Sequence, residues 1–253
     1  MMRFLSNNVR SDGRLFYKCR ATTITVGVLM RNTVGSALVC MGHTQVVAAI
    51  TLQVGTPPPA SAGSGSGDNN DGGGDLVVYS QVDSTYLERI LCTCLCPKSL
   101  VIIPQKSAWR LQIVIQVLND NGNVRDASLI AALAALKNTK LPTTQVDKDG
   151  IVSILETGGG GDGTPLILST TVGIPLTVGI LRHDNDNDKR GEIILVDPTT
   201  EEEQLVETKL TMVVTSCGKV SNVELAGRIT FQQLTLVAKM AQGRAQEIMQ
   251  LLE

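Results

Sequence analysis

Aromatic side chains are scarce: Phe, Tyr and Trp together make up 3% of the 253 residues. A core must therefore be built from Val, Ile, Leu and Ala. Long hydrophobic runs are missing too. A bilayer-crossing helix needs roughly 20 apolar residues, and stretches such as Ile24 to Met30 or Leu111 to Leu118 fall far short of it. No membrane partner is expected. Met1 to Arg14 has no apolar stretch of the secretory kind, so no export signal is expected. Histidine occurs only at His43 and His183, and the six cysteines form no CxxC pair. A reducing compartment with free, mostly buried thiols follows as the default. Cys92, Cys94 and Cys96 repeat at every second position, without the turn spacing of a zinc knuckle, so packing is expected and no metal or cofactor. An excess of either charge is also lacking: 22 basic against 24 acidic residues give a net charge of −2. That balance carries no general nucleic-acid footprint, although it leaves room for a local basic patch or a surface shared with partner chains.

What is present is organised in two halves, about 1–145 and 146–253. Thr22 to Val54 reads as strands, with Ile24, Val26, Val28 and Met30 alternating with smaller residues at period two. Runs at Ser36 to Met41 and Thr44 to Val54 flank a tight turn at Gly42-His43. Gly55 to Asp75 is rich in Gly, Ser and Pro and has almost no large apolar residue, so a disordered surface insertion is expected. Gln81 to Cys94 has helical spacing. Leu100 to Ile103 and Leu111 to Leu118 read as strands, followed by a turn at Asp120-Asn121-Gly122. Asp126 to Asn138 predicts an Ala-rich helix, apolar nearly all round and therefore buried, with Asp126 as its N-cap. After a second glycine tract, Gly158 to Gly163, strand-like runs recur at Leu166 to Leu181, Glu192 to Val196, Lys209 to Ser216 and Lys219 to Leu225. A helix over Thr230 to Leu252 then carries one apolar stripe, from Leu234 and Val237 to Ile248 and Leu252. Strands followed by a helix, twice, predict an α+β architecture.

Chemistry-bearing patterns are few. The glycine tracts match neither GxGxxG nor GxxxxGK[ST], so no phosphate loop is expected. Asp184 to Asp188 resembles the start of a calcium loop, but Lys189 and Leu195 stand where glycine and glutamate are needed, and a polar hairpin tip is expected. Glu201-Glu202-Glu203 reads as a solvated acidic loop rather than a paired-carboxylate site. Neither histidine lies in a nucleophile motif.

Larger patterns add up. Arg10-Ser11-Asp12-Gly13-Arg14, Arg20, Gly35-Ser36-Ala37 and Gly42-His43-Thr44-Gln45-Val46 resemble the opening of the ribonuclease PH superfamily. Pro104 to Trp109, Asp120 to Asn123 with Asp126-Ala127-Ser128, and Val196 to Glu203 resemble motifs of its RNA exosome ring subunits, the non-catalytic eukaryotic type in particular. The resemblance implies a ribonuclease PH-like fold of two strand-then-helix halves with mixed sheets. It implies a place in a hexameric ring of related subunits around an RNA channel, with cap subunits and associated nucleases, in the nucleus, nucleolus and cytoplasm. The roles would be 3′-to-5′ RNA degradation and processing, rRNA processing included. Active members use phosphate to attack the 3′-terminal phosphodiester and release a nucleoside diphosphate. Their metal-binding or acid aspartate aligns with Lys209, which cannot ligate Mg²⁺. Their phosphate-clamping Gly-Gly-Thr-Arg aligns with Gly122-Asn123-Val124-Arg125, where the hydroxyl is lost and Arg125 survives. The helix that carries RNA-gripping arginines in archaeal partner subunits holds only Arg89, one position from register. A non-catalytic subunit is therefore expected, with Arg125 and Arg89 as the candidate RNA- or phosphate-binding residues. The alternative is a working phosphorolytic exoribonuclease, alone or with a site shared with a neighbour.

Overall fold

The computed structural model describes residues 9–29, 31–57, 74–148, 151–154, 163–169, 171–184 and 190–252. Most of the Gly55–Asp75 insertion, nearly all of the Gly158–Gly163 tract and most of the Asp184–Asp188 tip lie outside them.

The first half is one sheet with two helices. Its strands are β1 (Thr22–Val26), β2 (Gly35–Met41), β3 (Thr44–Gly55), β4 (Asp75–Ser80), β5 (Val101–Ile103) and β6 (Ser107–Asn119). They run in the order β1-β2-β3-β6-β4, with β5 also on β6. β4 joins β6 in parallel and every other pairing is antiparallel, so this sheet is mixed. Helix α1 (Ser84–Cys94) makes the crossover that a parallel pair requires. A 3₁₀ turn at Pro97–Leu100 shortens the strand expected from Leu100. Period two holds where it was read: Leu111, Ile113 and Ile115 are buried, and Gln112, Val114 and Gln116 point the other way.

Helix α2 (Val124–Lys137) is the centre of the molecule. Eleven of its residues are buried, Asp126 to Leu136 without a break. It packs on β2 and β3 of the first sheet and on β11 (Gly173–Asp184) of the second. Its alanines let backbone approach backbone. A Cβ at Gly35 of β2 would come within 2.6 Å of Ala135 O, so that strand position takes only glycine. Asp126 is not the N-cap. Asn123 holds that place in a left-handed conformation (φ 54°), and Asp126 sits inside the first turn with its carboxylate turned to the second sheet.

The second sheet is antiparallel throughout, in the order β12 (Arg190–Val196), β11, β13 (Thr208–Thr215), β14 (Val220–Ala226). The strand expected from Leu166 starts only at Gly173. The backbone there bonds elsewhere: Leu166 N donates to Thr139 O (3.0 Å) and Ser169 N to Cys94 O (2.8 Å). Two short ribbons, β7 (Lys140–Leu141) with β10 (Thr164–Pro165) and β8 (Thr144–Val146) with β9 (Val152–Ile154), join the halves. A single turn, α3 (Thr200–Glu203), follows β12, and α4 (Phe231–Leu252) closes the chain. Val237, Ala241, Ala245 and Ile248 form its buried stripe against β11 and β13.

The thiols depart from expectation: of the six cysteines only Cys94 is buried, and Cys92 and Cys217 are exposed. Two residues along a helix is a turn of about 200°, which puts Cys92 on the outer side of α1 and Cys94 in the core.

Candidate functional site

The N-terminal arm and the stretch after β12 are bound to each other by charge. Arg10 and Glu202 are both fully buried. Arg10 Nε donates to Glu202 Oε1 at 2.9 Å, and its other nitrogens reach Val196 O (2.8 Å) and Asp197 O (3.0 Å). Arg20 grips Asp197 through Nη2–Oδ1 (2.7 Å) and Nε–Oδ2 (2.9 Å), and Arg14 Nη1 adds a longer contact at 3.3 Å. Burial pushes the Asp197 carboxyl up, but the bonds and charge of Arg20 outweigh it and hold the group below the usual carboxylate range. The acidic loop is solvated at Glu201, as expected, but Glu202 is fully buried. Thr199 N donates to Glu202 Oε2 (2.9 Å), which folds that carboxylate inward beneath α3. The pattern Thr-x-x-Glu of a capping box is the signal that marks it.

Arg20 also fixes the turn before α2, donating to Asn121 O (2.8 Å) and Gly122 O (2.9 Å). Gly122 has φ +85°, and a Cβ there would come within 2.7 Å of Pro198 O. From this turn Asn123 Nδ2 bonds both Asp126 Oδ2 and Asp197 Oδ1, each at 2.9 Å. Asp126 accepts from Thr177 N and Thr177 Oγ1, both at 2.7 Å. Burial, with Asp197 beside it, pushes the Asp126 carboxyl up despite those bonds. These groups set the position of the first turn of α2, on which the site stands.

The structure brings the sequence-picked residues together. Arg125, at the second position of α2, lies with its guanidinium 3.8 Å above the Tyr86 ring of α1. Its Nη2 reaches Glu224 Oε2 of β14 at 2.6 Å and Asp83 Oδ2 at 3.3 Å. Arg89, one turn along α1, takes the other oxygen of the same carboxylate: Nη2–Oε1 is 2.6 Å. Thus Glu224 bridges the two candidate arginines. Lys209 on β13 bonds Glu203 Oε1 at 2.7 Å, and the same oxygen accepts from Asn123 N at 3.2 Å. Val124 opens the helix with no hydroxyl to offer. Arg125 Nε and the Tyr86 hydroxyl are buried without a hydrogen-bond partner, where the guanidinium lies over the ring.

Three members of this cluster escaped the sequence, and a fourth, Glu203, lay in the acidic run read as solvated. Asp83 is the N-cap of α1, its Oδ1 accepting from Tyr86 N at 3.1 Å. A capping carboxylate before a helical pattern is a readable signal. Tyr86 and Glu224 carry no local signal for their roles. The site holds three cations, Arg89, Arg125 and Lys209, and three carboxylates, Asp83, Glu203 and Glu224, in direct pairs. Beyond the Arg20 turn, a separate polar cleft of about 460 Å³ is lined by Arg14, His43, Asn121 and Glu201. His43 is exposed there, in the turn where it was expected.

Two sheet-and-helix halves thus meet at an arginine-bearing helix start. The chain belongs to the 3′ exoribonuclease family: domain 1 of the family matches residues 18–142 and domain 2 matches residues 173–245. It is 31% identical to the exosome complex component Rrp42 of Methanosarcina mazei, over 94% of this chain and 86% of that protein. The Rrp42 of Methanopyrus kandleri is 30% identical, over 85% of this chain and 79% of its own. Among solved structures, an archaeal exosome core covers 100% of this chain and 94% of its own at TM-score 0.75 and 26% identity. The Archaeoglobus fulgidus exosome with RNA bound to the active site covers 100% of this chain and 96% of its own at TM-score 0.75 and 25% identity.

Proposed function

We propose that this chain is a non-catalytic ring subunit of an RNA exosome. It works in 3′-to-5′ RNA processing and degradation by shaping the RNA path and holding neighbouring subunits. Its partners are other ribonuclease PH-like subunits, cap subunits, associated nucleases and RNA, and it works in the nucleus, nucleolus and cytoplasm. One observation carries the non-catalytic reading. Each cation that phosphorolysis would use at the helix start is already neutralised by a carboxylate of the same chain: Lys209 by Glu203, and Arg125 and Arg89 by Glu224. Phosphate entering there meets no net positive charge, and the ammonium of Lys209 supplies no metal ligand.

The test is phosphate-dependent release of nucleoside diphosphate from a 3′-labelled RNA. The purified chain, alone and co-assembled with its neighbours, is compared with the same assembly carrying Arg125→Ala. No turnover by the chain alone and unchanged turnover by the assembly are expected. Turnover by the chain alone that Arg125→Ala abolishes would establish the phosphorolytic alternative instead.

A further inference from the structure

The last turns of α2 and α4 and the stretch before β11 surround a cavity of about 250 Å³. Its floor is the buried pair Leu133 and Leu166. Leu168, Val172, Met249 and Leu252 stand half-buried around it. Lys137 is exposed at the rim, the one polar side chain among the lining residues. Leu133 and Lys137 are four positions apart, so they share one side of α2, and Met249 and Leu252 share one side of α4 in the same way. The sequence thus sets a single ammonium over an apolar hollow.

That ammonium is unspent. Lys137 has no hydrogen bond or ion pair among the described residues. The carbonyls that end α2 already accept from elsewhere: Ala134 O from Asn138 N (3.0 Å), Ala135 O from Thr139 Oγ1 (2.8 Å) and Leu136 O from Thr139 N (3.1 Å). Arg125, about 18 Å away along the same helix, is the opposite case, since Glu224 pairs with it. Water fills such a hollow badly. The volume corresponds to roughly eight molecules at about 30 Å³ each, each needing about three hydrogen bonds, and the side chains offer one ammonium. Displacing poorly bonded water by an apolar group favours binding. An apolar cavity of about 150 Å³ takes benzene, so this one has room for a chain of about six to eight carbons. Nucleic acid is a poor occupant, because its phosphates would find one cation among apolar walls.

We propose that this cavity binds a small apolar monocarboxylate, with its hydrocarbon chain against the leucines and its carboxylate on the Lys137 ammonium. One polar group that fixes orientation in an otherwise apolar concavity is the common plan of a small-molecule site. The ammonium–carboxylate contact is a charge-assisted hydrogen bond, and at the rim neither ion gives up all its water. The site needs neither a ring neighbour nor RNA, so it stands apart from the reading above.

The experiment titrates the purified full chain with sodium octanoate by isothermal calorimetry, with hexanoate and methyl octanoate as comparisons. One saturable site per chain is expected. Hexanoate should bind about 15-fold more weakly, about fourfold for each methylene lost. Methyl octanoate, which carries no charge, should bind roughly tenfold more weakly than octanoate. Lys137→Met should cost octanoate about the same factor and leave methyl octanoate unchanged, and Lys137→Arg should restore most of the affinity. The unfolding temperature of Lys137→Met without ligand should not move, because the side chain is exposed. Val172→Phe fills the hollow and should abolish binding of every probe. Octanoate that does not saturate, or that binds Lys137→Met as tightly as wild type, overturns the proposal. Equal affinity for octanoate and its methyl ester would leave a plain apolar hollow and overturn it too. A chain that binds no carboxylate but loses a co-purifying protein on Val172→Phe assigns the cavity to a peptide and overturns it likewise.

Discussion

Arg10 and Glu202 are 192 residues apart and share one dry pocket. A pair like this has a one-sided energetic consequence. Desolvation of both ions has already been offset by their bonds to each other and to the carbonyls of Val196 and Asp197. Removing one partner leaves the other charged and buried. Arg10→Ala or Glu202→Ala should each lower stability by about 3–5 kcal/mol, read from urea midpoints. Asp197 adds a pH dependence. Its folded value is held below the unfolded one of about 3.9, so its contribution is complete above that pH and vanishes as pH falls through the folded value. Asp126 runs the opposite way. Its folded value is raised, so it costs stability as pH rises from about 3.9 through the folded value, and the cost persists at neutrality. Wild-type protein should therefore lose stability more steeply below pH 4 than Asp197→Asn does, measured by denaturant midpoints at pH 7, 4 and 3. The variant's overall stability should be lower at pH 7.

At the scale of elements, α2 decides the packing. It is buried from Asp126 to Leu136 between two sheets, with Ala at positions 127, 131, 132, 134 and 135. A helix squeezed on both sides has no free volume for a longer side chain. Ala131→Leu should cost about 1–3 kcal/mol by overpacking, whereas the same change on an exposed helix face would cost little. Calorimetry of the two variants separates the cases. This element was legible from its composition, as were β2, β3, β6 and α4 from their periods. The left-handed bend that starts α2 was not. Asn123 takes φ 54° with no capping bond, held instead by Asp126 and Asp197, and the latter is 74 residues away. Local rules assigned Asp126 to the cap because they see a carboxylate before a helix and cannot see Thr177. The strand expected from Leu166 failed similarly: its backbone bonds Thr139 and Cys94, distant in sequence, in place of a sheet neighbour.

For the whole molecule, a net charge of −2 conceals how the charges are matched. The family motifs around Arg10, Arg14 and Arg20 were visible in the sequence, and the structure gives all three to holding the arm on the Val196–Glu202 stretch. Arg125 and Arg89 were visible as candidate anion-binding residues. Glu224, which occupies both, lies 99 residues beyond Arg125 in an ordinary alternating strand, so only the folded chain reveals that the seat is filled. That arrangement makes affinity for RNA a matter of subtraction. Glu224→Gln removes the bridging charge, leaving Arg125 with Asp83 and taking from Arg89 its carboxylate partner. Each cation freed for a phosphate steepens the logarithmic salt dependence of single-strand binding by about 0.7. The variant should therefore bind a short single-stranded RNA more tightly at low salt, with a slope steeper by about 0.7–1.4 than wild type. The double variant Glu224→Gln/Arg125→Ala should return about half of that increment. On the non-catalytic reading proposed above, phosphorolysis should stay absent in both. A Glu224→Gln chain with unchanged salt slope would mean that these arginines point away from the RNA path, and that Glu224 serves only to pin β14 to α1 and α2.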